Sequence, residues 1–149
     1  ECMHTAIETS FFAPWETVKS ILPYVNLAFV DMKFFSNDLH KQYTGVDNEL
    51  IKQNLLATNE LEDKFQLVIR TPIVPGLNDS EQELCKIGEF CTKLKKLSYV
   101  QLLPYHKLGT ATYEKLGRTY ALPDVKSPTP NQMAGYVKII ERYVENVIF

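Results

Sequence analysis

Four apolar stretches of this chain run into residues that could do chemistry. HTAIETS ends in Glu8, Thr9 and Ser10; YVNLAFVDMK ends in Asp31, Met32 and Lys33. KFQLVIRT closes on Arg70 and Thr71, and LSYVQLLPYH on Tyr105 and His106. Each side chain has a definite repertoire. Carboxylates such as Glu8 and Asp31 accept hydroxyl hydrogen bonds or hold a cation, and the Lys33 ammonium complements a carboxylate. Arg70 presents a planar fork of donors, and His106 offers a flat ring face together with a ring N–H. A purely structural use is open to each as well. Asp31 and Lys33 are two residues apart on an extended segment and project to the same side, so they can pair with one another. Arg70 can pair with Glu8 or Asp31, and His106 can bond a loop carbonyl. A third option makes Lys33 a Schiff-base nucleophile of a lyase, which requires desolvation or a neighbouring cation such as Arg70, whereas Asp31 beside it favours the charged form.

The elements that must position these groups follow from pattern. Strands are predicted over about residues 3 to 9, 24 to 33 and 98 to 103 and within KFQLVIRTPIVPG, 64 to 76, whose near-continuous apolar centre suits a strand covered on both faces. Between them, Pro14 begins a short helix to about Leu22, and Asp38 to Tyr43 forms a helical turn closed by Gly45. Asp47 caps a helix carrying Leu50, Ile51, Leu55 and Leu61. Ser80 with Glu83, and Thr129 with Gln132, match the capping-box pattern. Leu84, Ile87, Cys91 and Leu94 line one helix face; Met133, Val137, Ile140, Val144 and Val147 line the last. The order β-α-β-α-α-β-α-β-α implies an α/β fold of parallel strands with helical crossovers. In such folds ligands sit beyond the carboxyl ends of the strands, where all four chemical clusters fall. Pro104 stops the fourth strand and Gly109 supplies a turn. The stretch from 104 to 128 is too long for a plain connector and is expected to be functional.

Composition narrows the classes. A chain of 149 residues with 45% hydrophobic and 23% charged residues is expected to form one domain, 1–149, around a real core. The net charge of −2 comes from interspersed signs, which argues against nucleic acid as a partner. Apolar runs are too short to cross a bilayer and the first residues lack a signal-peptide layout, so a cytoplasmic protein without a membrane partner is expected. Cys2, Cys85 and Cys91 fit neither a disulfide framework nor a zinc knuckle. Cys85 and Cys91 are six apart on one helix and so face different ways. His4 reads as a core or rim residue inside the first strand, and Trp15, Tyr105 and Tyr113 as packing or rim aromatics.

Taken together, HTAIETS, DMK at 31 to 33, YTGVDNELI at 43 to 51, VIRTPIVPGLNDS at 68 to 80, and LLPYHKLG followed by Tyr113, Leu116 and Gly117 resemble the later part of the activating enzymes of glycyl radical enzymes, of which pyruvate formate-lyase activating enzyme is the best-known kind. The resemblance extends along nearly the whole chain in matching order. It implies membership of the radical S-adenosylmethionine superfamily, whose members use a four-iron four-sulfur cluster held by CxxxCxxC to cleave S-adenosylmethionine and abstract hydrogen from a glycine of the partner enzyme. It implies an incomplete (β/α)6 TIM-like barrel, with this chain as its last four β/α units.

By the same resemblance, Glu8 and Thr9 lie near the methionyl end of the cofactor, where Glu8 and Asp31 can also hold a monovalent cation. Asp31 and Lys33 contact the ribose and methionyl carboxylate region, and His106 lies beside the adenosine. Arg70 steadies anionic cofactor groups or the partner's glycine loop. The implied partners are a pyruvate formate-lyase-like glycyl radical enzyme and an electron donor such as flavodoxin or ferredoxin. CxxxCxxC and the family's GGE segment do not occur in this sequence. The chain is therefore read as the carboxyl-terminal portion of a longer enzyme, without catalytic residues or cluster ligands of its own and inactive alone. Phe11 stands where relatives usually have Gly, which leaves the shape of the first loop open. Two competing readings are the Lys33 lyase and a non-catalytic module that only docks a partner. The first strand is expected to be an open edge that supports self-association.

Overall fold

The computed structural model describes residues 3–62, 64–108 and 110–149. Cys2 and the turn assigned to Gly109 lie outside the described residues. Five parallel strands form one sheet in the order of the chain. β1 (Ala6–Thr9) is followed by α1 (Trp15–Ile21), and β2 (Leu27–Asp31) by α2 (Asn37–Thr44) and α3 (Glu49–Ala57). β3 (Gln66–Ile73), α4 (Glu81–Cys91), β4 (Leu97–Pro104), α5 (Thr110–Lys115), α6 (Pro130–Ile140) and β5 (Val147–Ile148) complete the chain.

The expected parallel sheet with helical crossovers is observed. Four details differ from the sequence reading, each for a local reason. The first strand starts at Ala6, so His4 precedes it and is exposed. The cap of α3 falls on Asn48, with Asp47 Oδ1 accepting weakly from Glu49 N at 3.3 Å, and Leu61 lies past the helix end. The last helix stops at Ile140, and Val147 instead opens the two-residue β5 beside Val100 of β4. A β-branched pair serves either geometry, and sheet pairing decides. Finally, Ser80 Oγ accepts from Glu83 N, but the Glu83 carboxylate does not fold back on its own helix. Thr129 and Gln132 do form the full reciprocal box.

Strand alternation sorts the sheet into two unlike faces. Ala28, Val30, Met32, Leu67, Ile69, Ile73, Val100 and Leu102 belong to one continuous core with the apolar faces of the helices, including Val18, Ile51, Leu55, Leu84, Ile87, Met133, Val137 and Ile140. The opposite face carries Phe29, Val68 and Tyr99 in register, then Asp31, Arg70 and Gln101 in the next row. None of these six belongs to that core. Among the described residues no helix is long and apolar enough to cross a membrane.

Candidate functional site

Parallel register brings the strand ends level. Asp31 lies directly beside Arg70, and Glu8, one strand over, sits beside Phe29 in the row below. Arg70 joins the three strands electrostatically. Its Nη1 stands 2.9 Å from Glu8 Oε1 and Nη2 donates to Glu8 Oε2 at 3.1 Å, while Nη2 and Nε reach Asp31 Oδ1 at 3.1 and 3.2 Å. The guanidinium carbon lies 5.3 Å from the centre of the Phe29 ring, within cation–π reach of an aromatic below. Only 14% of the Arg70 side chain is exposed, against 69% of Glu8. The hydrogen bond from Arg70, then its charge, hold the Glu8 carboxyl below the usual carboxylate range. Reciprocally, the Glu8 bond, with Asp31 adding its field, pushes the guanidinium still higher.

Lys33 completes the row. Its ammonium stands 3.8 Å from Asp31 Oδ2, the oxygen that Arg70 leaves unused. The ion pairs that sequence allowed are therefore both present, and Arg70 takes Glu8 and Asp31 at once. The guanidinium occupies the position between those two carboxylates. Thr9 turns its hydroxyl inward to accept from Phe11 N at 3.0 Å, which shapes the loop after β1. That loop retains a left-handed residue: Phe11 has φ 57°, the region where glycine is at ease. Its carbonyl accepts from Asn54 Nδ2 at 2.8 Å, and its ring is 1% exposed.

His106 is not drawn into this cluster. It lies in the exposed loop two residues past Pro104, and its Nδ1 accepts from Leu108 N at 3.4 Å. It shares the carboxyl side of the sheet with the charged row and touches none of its members among the described residues. Tyr105 before it is buried and its hydroxyl bonds that of Tyr120, while Lys107 reaches the Pro123 carbonyl, so the long segment folds back over the strand end.

Two cavities meet at Lys33 and Thr44. The larger, about 370 Å³, has aromatic walls from Phe34, Tyr43, Tyr113 and Tyr120. The smaller, about 140 Å³, lies between the loop after β1, the end of β2 and α2, and is lined by Ser10, Asp31 and His40 as well. Sequence reasoning missed His40. Its only signal was helical spacing, Asp38 to Tyr43, and nothing in that pattern points a ring at the end of β2. Among the described residues no three His, Cys, Asp or Glu side chains gather to hold a metal ion. Cys91 is a core residue of α4 whose burial pushes its thiol up to about 12, and Cys85 is half-buried.

No protein-family model matches the chain. Among known proteins it is 35% identical over 140 residues to the indoleacetate decarboxylase activating enzyme of Tractidigestivibacter scatoligenes, a match covering 94% of this chain and 44% of that protein. It is 38% identical over 123 residues to the isethionate sulfite-lyase activating enzyme of Nitratidesulfovibrio vulgaris, covering 83% and 39%. With the 4-hydroxyphenylacetate decarboxylase activating enzyme of Clostridium scatologenes it shares 39% identity over 118 residues, covering 79% and 38%. The chain thus spans less than half the length of these relatives. Its fold matches the crystal structure of a domain of pyruvate-formate lyase-activating enzyme from Bacteroides vulgatus, with TM-score 0.77 and 25% identity over 99% of this chain and 81% of that one. By sequence along most of its length and by fold along nearly all of it, the chain is a homologue of a part of the activating enzymes of glycyl radical enzymes.

Proposed function

We propose that the chain is the later part of a glycyl radical enzyme activating enzyme of the radical S-adenosylmethionine superfamily, and that its charged rim forms one wall of the cofactor site. The observation that carries this reading is the Glu8–Arg70–Asp31–Lys33 row, built from three strand ends on the sheet face that the helices leave bare. In this reading that face is the interior of an incomplete (β/α)6 barrel, of which residues 1–149 supply the last four β/α units. β5 is an addition at the sheet's far edge.

The residues fit S-adenosylmethionine. Lys33 complements its methionyl carboxylate, Asp31 accepts from ribose hydroxyls, and Glu8 and Thr9 face the methionyl end. Arg70 holds both carboxylates in fixed rotamers, and its remaining role is toward anionic groups or the partner's glycine loop. His106, on its exposed loop, faces the adenosine. When bound, the cofactor supplies hydrogen-atom abstraction from a glycine of the partner. The four-iron four-sulfur cluster does not fit the described residues, which offer no group of three ligands, and in this reading its cysteines belong to another part of the enzyme. The partner is a pyruvate formate-lyase-like glycyl radical enzyme, the electron donor a flavodoxin or ferredoxin, and the setting the cytoplasm. A further element of the reading is self-association of the isolated chain through β1, which among the described residues pairs only with β2.

The Schiff-base reading loses ground on geometry. The Lys33 side chain is 44% exposed beside Asp31, and the nearby cation Arg70 is already matched by two carboxylates.

Titration calorimetry tests the proposal. Without cluster chelation the rim offers only a few charge-assisted contacts, so S-adenosylmethionine should bind this chain with a dissociation constant on the order of millimolar. Asp31→Asn and Lys33→Met should each weaken it further, and no 5'-deoxyadenosine should form after iron, sulfide and dithionite are added. Micromolar binding, deoxyadenosine formation by the chain alone, or binding indifferent to both substitutions would overturn the reading.

A further inference from the structure

β2 and β3 part at the charged row, and the cause is Pro72. Arg70 turns its backbone toward β2: its carbonyl accepts from Met32 N at 2.8 Å. In a parallel ladder the next rung comes two residues on, from the N–H of residue 72 to the Met32 carbonyl, and proline has no N–H to give. Side chains take over from the ladder there. The Thr71 hydroxyl, fully buried, donates to the Met32 carbonyl at 3.0 Å. One step further, Asn78, 1% exposed, donates from Nδ2 to the Lys33 and Pro72 carbonyls, each at 2.7 Å. Its Oδ1 accepts from Val74 N at 2.8 Å, which fixes which way round the amide lies. The tight turn that brings Asn78 back to this fork is closed by Leu77 N on the Val74 carbonyl at 3.0 Å and by Gly76 N on Asp79 Oδ1 at 2.8 Å, with Gly76 at φ 82°.

One nitrogen thus spans the mouth of the fork. With both its hydrogens on backbone carbonyls, the amide has no donor left for a ligand and works on the residue it holds. That residue is Lys33, whose ammonium stands 3.8 Å from Asp31 Oδ2 at the end of the charged row. We propose that Asn78 is a positioning residue: it sets the opening between β2 and β3 and so fixes the backbone from which Lys33 reaches its partners. Without the amide, two carbonyls converge on a point where Pro72 offers no donor, and each must take water instead, which needs room. The fork then widens and carries Lys33 away from Asp31. The backbone that follows is anchored separately, by Asn48 Nδ2 on the Phe34 and Phe35 carbonyls at 2.7 and 3.0 Å and by the Glu83 carboxylate on Phe35 N and Ser36 N, so Asn78 acts on the fork itself. That Lys33 then serves S-adenosylmethionine rests on the function proposed above; that Asn78 places Lys33 rests on the fork alone.

The Asp31 carboxyl carbon senses where Lys33 stands, so ¹³C spectra of the whole chain at one pH test this in wild type, Asn78→Ala, Lys33→Met and the double variant. Asn78→Ala should move that resonance in the same direction as Lys33→Met does, and in the Lys33→Met background it should move it no further. An asparagine that only holds the fold together would lower the urea midpoint and leave the Asp31 resonance of the folded chain in place, and that outcome overturns the proposal. In wild type the Asn78 amide hydrogens should exchange about tenfold or more slowly than those of free asparagine. Exchange at the free rate overturns the proposal too, whether or not the variant folds. S-adenosylmethionine supplies a second arm. Its affinity should fall about threefold or more in Asn78→Ala, and Asn78→Ala should have no effect once Lys33 is replaced. Should Lys33→Met weaken cofactor binding while Asn78→Ala does not, the positioning role falls and the cofactor reading stands. Should Asn78→Ala move the Asp31 resonance while S-adenosylmethionine leaves the whole rim unmoved, the positioning role stands and the cofactor reading falls.

Discussion

Phe11 holds a left-handed backbone, at a cost of about 1–2 kcal/mol for a residue with a Cβ, because its ring is 1% exposed in the core and its carbonyl is held by Asn54. Glycine would relieve the strain and forfeit the packing. Phe11→Ala should therefore cost about 3–5 kcal/mol, and Phe11→Gly should cost less than alanine, by about 1 kcal/mol or more. That ordering is the reverse of the one expected in regular backbone, and equal or opposite urea midpoints would contradict it. The charged row makes a second prediction at this scale. A carboxyl whose folded pKa is depressed adds stability above its unfolded pKa and loses it as pH falls through the folded one. Because Arg70 is what depresses Glu8, the Glu8 side-chain carbon should titrate below the ordinary carboxylate range in wild type. In Arg70→Gln it should return toward that range, as read by carbon-detected NMR. Glu8 is largely solvent-exposed, so the accompanying change in stability should be small.

At the scale of elements, Glu83 connects two units that are distant in sequence. It lies in the first turn of α4, yet its carboxylate, 3% exposed, receives the backbone N–H groups of Phe35 and Ser36, the latter at 2.8 Å, and the Ser36 hydroxyl at 2.5 Å. Those groups lead directly into α2, so one side chain orients the helix that carries His40 and Thr44 beside Lys33. Glu83→Ala leaves two backbone donors unpaired and should cost about 3 kcal/mol. Amide exchange at Phe35 and Ser36 should accelerate beyond what global destabilisation explains. Unchanged protection there would show that the loop holds itself. Thr129→Ala, which removes a cap from α6 but touches no other element, should cost about 1 kcal/mol and leave the charged rim unaffected.

Over the whole molecule, the asymmetry between the faces of the sheet is the governing feature. One face is covered by helices; the other leaves Phe29, Tyr99 and Leu103 half-buried beside ion-paired Asp31 and Arg70. Such a surface and the open β1 edge both favour association. Sedimentation of the chain should show concentration-dependent self-association, reduced by Ala6→Lys, which places a charge on the exposed edge strand. A strictly monomeric species with slow amide exchange along both sides of β1 would contradict it.

Most of the architecture was legible in residue order. Alternation and capping residues mark β1 to β4 and the main helices because those signals are local: a strand's period and a cap's hydrogen bond involve neighbours a few positions away. The strand-end rule likewise placed Glu8, Asp31, Lys33 and Arg70 at one rim, since parallel strands with crossovers end on one side. Tertiary structure decided what depends on distance through space. It turned Glu83 from a self-capping residue into a clamp on Phe35 and Ser36, made Val147 a strand through Val100, and left His106 apart from the charged row. It also put His40 against the cavity at Lys33. No sequence period encodes which way a loop turns after its strand ends, because that turn is set by packing against elements tens of residues away.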